Sequence, residues 1–249
     1  MSWRTLGVSA LLAGLAAGAA LPAMAEPNLT GRWSRYPRPS ETPDPRFVPP
    51  RAGEPDLKPP YAAAYADLRR RQRESEERGE PLATPGTACL PTGMPGMMGA
   101  IYPLEILQTP GQVTVIEEAN SEVRRIYLGE KPPAADDVPP GYFGYSTGRW
   151  EGDTLVVETV GIKDSVRYRD IPHSGAERIV ERLHLVAPDI LQDQITIDDP
   201  DHLVKPYVIT FAYKRMPDYK MLEYVCENNR TVIDSNGVAH MRIDPEFKK

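Results

Sequence analysis

From residue 104 onward, apolar and polar positions alternate in short runs broken by turn residues, the pattern of half-buried β-strands. The runs are Leu104–Gln108, Val113–Glu118, Val123–Leu128, Tyr142–Trp150, Thr154–Val160, Ile179–Val186, Ile190–Asp198, Tyr207–Lys214 and Tyr219–Cys226. Thr109-Pro110-Gly111, Ala119-Asn120-Ser121, Glu151-Gly152-Asp153, Ala187-Pro188-Asp189 and Arg215-Met216-Pro217-Asp218 punctuate them as turns. Parallel βαβ units need helices between strands, and no long helical period occurs here. The order predicts a mainly β fold, an antiparallel up-and-down meander that is strongly curved or closed into a barrel.

The chain before residue 104 reads differently. Residues 1–25 have the form of a secretory leader: Arg4, an apolar run from Leu6 to Leu21, and the small-residue site Ala23-Met24-Ala25. That run is too short to span a bilayer as a helix, so the mature chain 26–249 is expected to be one periplasmic or secreted domain without an integral membrane span. Residues 35–60 hold nine prolines, which bars both a helix and a β-ladder and predicts an extended arm. A helix is expected over about 60–78, with Tyr61, Tyr65 and Leu68 on one stripe and Gly79 as its cap. Its second half is charged all round, as a solvated helix end is. Met94, Met97 and Met98 lie among glycines and prolines in a loop, either as core packing or as a lid.

Composition narrows the function classes. The formal net charge of −6 gives no field for binding nucleic acid. Two cysteines are too few for a zinc ribbon or an iron–sulfur site, and no cofactor motif or metal-ligand spacing occurs. In an exported chain the even pair, Cys89 and Cys226, is most simply a disulfide. The oligomeric state is not encoded in any of these features.

Two resemblances bear on the fold. Gly31-Arg32-Trp33 resembles the G-x-W opening of lipocalin-type (calycin) barrels, which implies a closed barrel with a tryptophan at one end. More closely, Cys89-Leu90-Pro91-Thr92-Gly93-Met94-Pro95 and the string GRWEGDTLVV at 148–157 resemble an uncharacterised family of exported bacterial proteins. That resemblance implies export and a shared barrel-like fold. It brings no catalytic residue with it.

Alternation selects candidate inward-facing side chains, because successive strand residues face opposite sides. Tyr207, Phe211 and Tyr213 share one face, Arg125 and Tyr127 another, while Glu181 and Glu223 each interrupt an otherwise apolar face. Apolar walls with a few polar groups are the usual make-up of a small-molecule site. Equally, an internal pair of Arg125 with a glutamate would only fix register. His173, in a loop before the Glu181 strand, is placed to move protons near neutral pH. Three readings follow. The first is a lipocalin-like protein holding a small apolar or aromatic molecule inside its barrel, with Arg125, Tyr127, Tyr207, Phe211, Tyr213 and Glu223 lining the site. The second is a cofactor-free lyase, isomerase or cyclase using His173 and Glu181 as acid and base. The third is an envelope interaction module that works through its Pro-rich arm.

Overall fold

The computed structural model describes residues 26–39, 41–99, 101–226 and 231–241, so the expected leader at 1–25 lies outside the described residues. Nine strands close into a barrel in chain order: β1 (Gly31–Arg35), β2 (Leu104–Thr109), β3 (Gln112–Glu117), β4 (Glu122–Leu128), β5 (Tyr145–Glu151), β6 (Thr154–Val160), β7 (Arg178–Ala187), β8 (Ile190–Asp198) and β9 (Tyr207–Arg215). One helix, α1 (Pro59–Glu77), precedes the β2–β9 run, and a small ribbon, β10 (Thr231–Ile233) with β11 (Ala239–Met241), follows it. Closure of the barrel leaves the sheet with few free edges.

Two features depart from the meander read in the sequence. The β4–β5 pair is parallel, with Ile126 beside Ser146 and Leu128 beside Gly148, whereas every other neighbouring pair in the barrel is antiparallel. The connection 129–144, with four prolines and a short 3₁₀ turn at Ala135–Asp137, is long enough to carry the chain back to the starting end of the barrel. Second, Tyr219–Cys226 is not a strand. The place beside β9 belongs to β1, through Trp33↔Arg215 and Arg35↔Tyr213. The 219–226 segment is held instead by side-chain bonds to Glu118, from the Tyr219 hydroxyl at 2.7 Å and the Leu222 amide at 2.7 Å.

The barrel core is built from the inward faces of the strands. Trp33, Leu104, Ile106, Val113, Val115, Ile126, Leu155, Ile179, Leu191, Ile195 and Tyr213 are almost completely buried. Met94, Met97 and Met98 join them, so the methionine loop is core packing. Trp33 donates its indole N–H to the Leu29 carbonyl at 2.9 Å, and the Arg215 guanidinium lies 4.1 Å over its ring. In the GRWEGDTLVV string, Gly152 takes φ +65° in the two-residue β5–β6 turn, where an L side chain would be strained. Gly148 matters instead for the space it leaves, since a Cβ there would sit 2.9 Å from Ile126 Cγ2 and 3.0 Å from Leu128 Cδ2. The parallel β4–β5 contact therefore needs its bare backbone.

Helix α1 begins on Pro59-Pro60 and docks Tyr61 and Tyr65 on the core. Its flank is tied to the 168–170 turn by Arg69 and Gln72, both to Asp170, at 3.5 and 2.9 Å. Arg70 pairs with Asp67 and Glu74 on the solvent side. Before the helix, the described residues of 37–58 hold neither helix nor strand and meet the barrel at intervals. Tyr36 and Phe47 pack on Ile190 and Ala212, and Leu57 bridges to Leu203. Cys89 and Cys226 form a disulfide across 137 positions of sequence, fastening the methionine loop to the segment after β9.

Candidate functional site

The barrel interior contains a buried polar group around Arg124. Its Nε donates to Ser146 Oγ at 3.1 Å, Nη1 to Glu181 Oε1 at 2.8 Å and Nη2 to Thr159 Oγ1 at 2.9 Å, with a further bond from Nη2 to Glu181 Oε2. Arg124 and Glu181 are 1% and 0% exposed, so the pair is fully desolvated. Burial of two charges is tolerated only when paired and hydrogen-bonded, and this pair meets both conditions.

Asp193, on the neighbouring strand and diagonal to Glu181, is also 0% exposed, and neither of its carboxyl oxygens has a hydrogen-bond partner among the described residues. Burial, and then the charge of Glu181, hold its carboxyl well above the usual carboxylate range. Next to it, Tyr213 donates its hydroxyl to the Met98 carbonyl at 2.6 Å.

The sequence-predicted site residues fall into three sets. Tyr207, Phe211 and Tyr213 are buried on the inward face of β9, as expected. Arg125, Tyr127 and Glu223 are not inside. Arg125 is exposed, and Tyr127 stacks on Tyr145 at 5.2 Å on the outer face. The frame of β4 is offset by one residue from the expected one: Val113 faces Ile126 and Val115 faces Arg124, so β3 turns Glu122, Arg124 and Ile126 inward. Either frame of Glu-Val-Arg-Arg-Ile-Tyr-Leu holds one arginine, and only the cross-strand register chooses between them. Glu223 is exposed because its segment lies outside the sheet.

His173 and Glu181 belong to separate groups. The His173 ring faces the Lys163, Val166 and Ser174 carbonyls at 3.1, 2.7 and 3.1 Å, with Glu177 at 3.7 Å. It staples the 163–177 loop and shares no hydrogen-bond partner with Glu181, which is committed to Arg124. Burial raises the Glu177 carboxyl to about 7, although His173 works against that rise. Nothing in this geometry joins His173 and Glu181 as one acid–base pair.

The accessible chemistry lies at the side of the barrel, in a groove of about 780 Å³ between the Pro-rich segment and β9. Val48, Pro49, Pro50, Arg51 and Ala52 form one wall, and Ile209, Thr210 and Phe211 form the other. Arg35, Tyr168 and Arg169 close its end. The Arg35 guanidinium lies 4.1 Å over the Phe211 ring and donates to the Gly99 carbonyl at 3.1 Å, while its buried Nε–H has no partner among the described residues. Arg169 donates to Tyr207 Oη at 2.7 Å and faces Glu54 at 3.4 Å. Arg169 and Asp170 both have positive φ, 52° and 64°, an uncommon backbone state for two successive residues with side chains. That turn aims Arg169 along the groove and Asp170 at helix α1.

No family model matches the chain, and no curated protein matches it. The residues of the site therefore rest on geometry and chemistry alone.

Of the groove residues, Phe211 and, through Arg169, Tyr207 were legible from strand alternation. Arg35 and Asp193 carry the same signal that marked Glu181, one charged residue in an inward apolar frame: Gly31, Trp33, Arg35 in β1 and Leu191, Asp193, Ile195 in β8. Arg169 had no local signal, since a turn residue points wherever the tertiary contacts send it.

Proposed function

We propose that this is an exported binding protein whose site is the lateral groove rather than the barrel interior, and that its ligand joins an apolar or aromatic body to an anionic group. The observation that carries the reading is Arg35: a guanidinium stacked on Phe211 at the groove's end, with no carboxylate bonded to it among the described residues. A planar cation on an aromatic face favours planar anions, because its forked donors match a carboxylate. Arg51 and Arg169 add positive charge to the same groove, Arg169 facing Glu54, and no carboxylate is among the described residues that line it. The prolines and Phe211 supply the apolar walls. The inward side chains of the barrel pack on one another and on the methionine loop, which moves the expected site from the interior to its flank. Support for export comes from the Cys89–Cys226 disulfide, which suits an oxidising compartment.

The test is a calorimetric titration of the full mature chain with aromatic carboxylates and their uncharged amides. Carboxylates are expected to bind at least tenfold more tightly than the amides, and Arg35→Gln to remove most of that difference. Equal binding of acid and amide, or an unchanged preference in Arg35→Gln, would overturn the reading.

A further inference from the structure

Strand β1 is shorter than the strand it closes against. It pairs with β9 through Trp33↔Arg215, Ser34↔Lys214 and Arg35↔Tyr213, and the Tyr36 amide then donates to the Ala212 carbonyl at 2.8 Å. Beyond that point the chain leaves at Pro37, while β9 continues to Tyr207. Residues 207–211 therefore have β8 on one side and, among the described residues, no strand on the other.

The alternation of an antiparallel ladder fixes which backbone groups face that open side. Tyr36 bonds to residue 212, so residues 210 and 208 turn their N–H and C=O groups the same way. Residues 209 and 211 turn theirs toward β8. Thr210, which lines the groove, and Val208 thus turn two donor–acceptor sets to that open side, with no backbone partner there among the described residues. The Pro-rich segment runs alongside, from Val48 near Thr210 to Gly53, whose carbonyl accepts from Tyr207 Oη at 2.9 Å. No backbone hydrogen bond joins residues 48–52 to residues 207–211, all of them described. Pro49 and Pro50 have no N–H to offer in any case. The segment flanks the strand edge and leaves the groove between them.

This inference rests on the groove being the binding site, and it specifies the ligand class. We propose that the groove takes an extended peptide segment bearing a carboxylate, which adds to the barrel as a further strand against Thr210 and Val208. Strand addition draws affinity from main-chain bonds and specificity from side-chain contacts. The five residues of exposed edge fit a segment of about five residues at a rise of about 3.3 Å each. Charge complementarity selects an acidic peptide, since Arg35, Arg51 and Arg169 line the groove and no carboxylate is among the described residues that line it. Phe211 and the prolines receive its apolar side chains.

The experiment is amide hydrogen exchange of the full mature chain, read by NMR, with and without a millimolar pool of end-blocked acidic pentapeptides. In the free protein the Val208 and Thr210 amides are expected to exchange much faster than those of Ile209 and Phe211. The pool is expected to slow them at least tenfold. The same pool with every backbone amide methylated should have no such effect. Pools with Gln in place of the acidic residues should protect at least tenfold more weakly. Unchanged exchange at Val208 and Thr210, or equal action of the methylated pool, would overturn the proposal. If aromatic carboxylates bind with Arg35 dependence while the peptides leave those two amides unprotected, strand addition fails and the groove reading stands. If neither class binds, both fail.

Discussion

Replacing Arg124 with methionine removes the cation of the buried pair while keeping a side chain of similar reach. Glu181, at 0% exposure, then has no counter-charge, and Asp193 lies diagonal to it on the next strand. A carboxylate in that position must take up a proton for the barrel to fold. With an unfolded-state value of about 4.3, holding it neutral costs about 3.7 kcal/mol at pH 7 and about 1 kcal/mol at pH 5. This range agrees with the roughly 3–5 kcal/mol found when one partner of a buried pair is removed. The penalty has a definite sign with pH: the folded-state value is raised, so stability is kept at low pH and lost as pH rises. Urea unfolding followed by tryptophan fluorescence at pH 5, 6 and 7 measures it. The Arg124→Met deficit is expected to grow by about 1.4 kcal/mol per pH unit. The double variant Arg124→Met, Glu181→Met, which removes both charges, should recover to within about 1–2 kcal/mol of the parent. A deficit below about 1 kcal/mol at pH 7, or one independent of pH, would refute the buried-pair reasoning.

Other outcomes follow from single features. The disulfide spans 137 positions, so the chain-entropy relation gives about 5 kcal/mol. Cys89→Ser with Cys226→Ser is expected to lower stability by about 2–5 kcal/mol in urea melts, and a loss under about 1 kcal/mol would count against that role. Burial, with Glu122 beside it, raises the Glu117 carboxyl to about 8. The wild-type chain should therefore be fully stabilised with respect to this group below about pH 4.5 and lose that contribution as pH rises toward 8. Glu117→Gln should match it near pH 4.5 and exceed it at pH 8 by about 4 kcal/mol, and parallel stability–pH curves would exclude this. Gly148→Ala places a methyl 2.9 Å from Ile126 Cγ2 and is expected to cost about 1–3 kcal/mol by thermal melt. An unchanged melt would show that the β4–β5 contact yields more easily than its spacing implies.

Strand content was legible in the sequence because half-buried strands must alternate and the turns between them need Gly, Pro, Asn or Asp. Eight of the nine predicted runs coincide with strands within about three residues at either end. That the described residues of 37–58 hold neither helix nor strand was legible for a plainer reason, since prolines remove the donors a ladder needs. The pairing of the two cysteines was legible from their number alone.

Tertiary structure decided what alternation leaves open. A strand read by itself does not state its frame, so Arg124 rather than Arg125 entered the core only when β3 fixed the register. Nor does it state its neighbour. Gly31–Arg35 closed the barrel in place of Tyr219–Cys226, and its early end left the β9 edge exposed beside the arm. The groove exists because two distant segments differ in length where they meet, a quantity carried by neither segment alone. Hydrophobic periodicity specifies faces, whereas register and closure are set by long-range contacts.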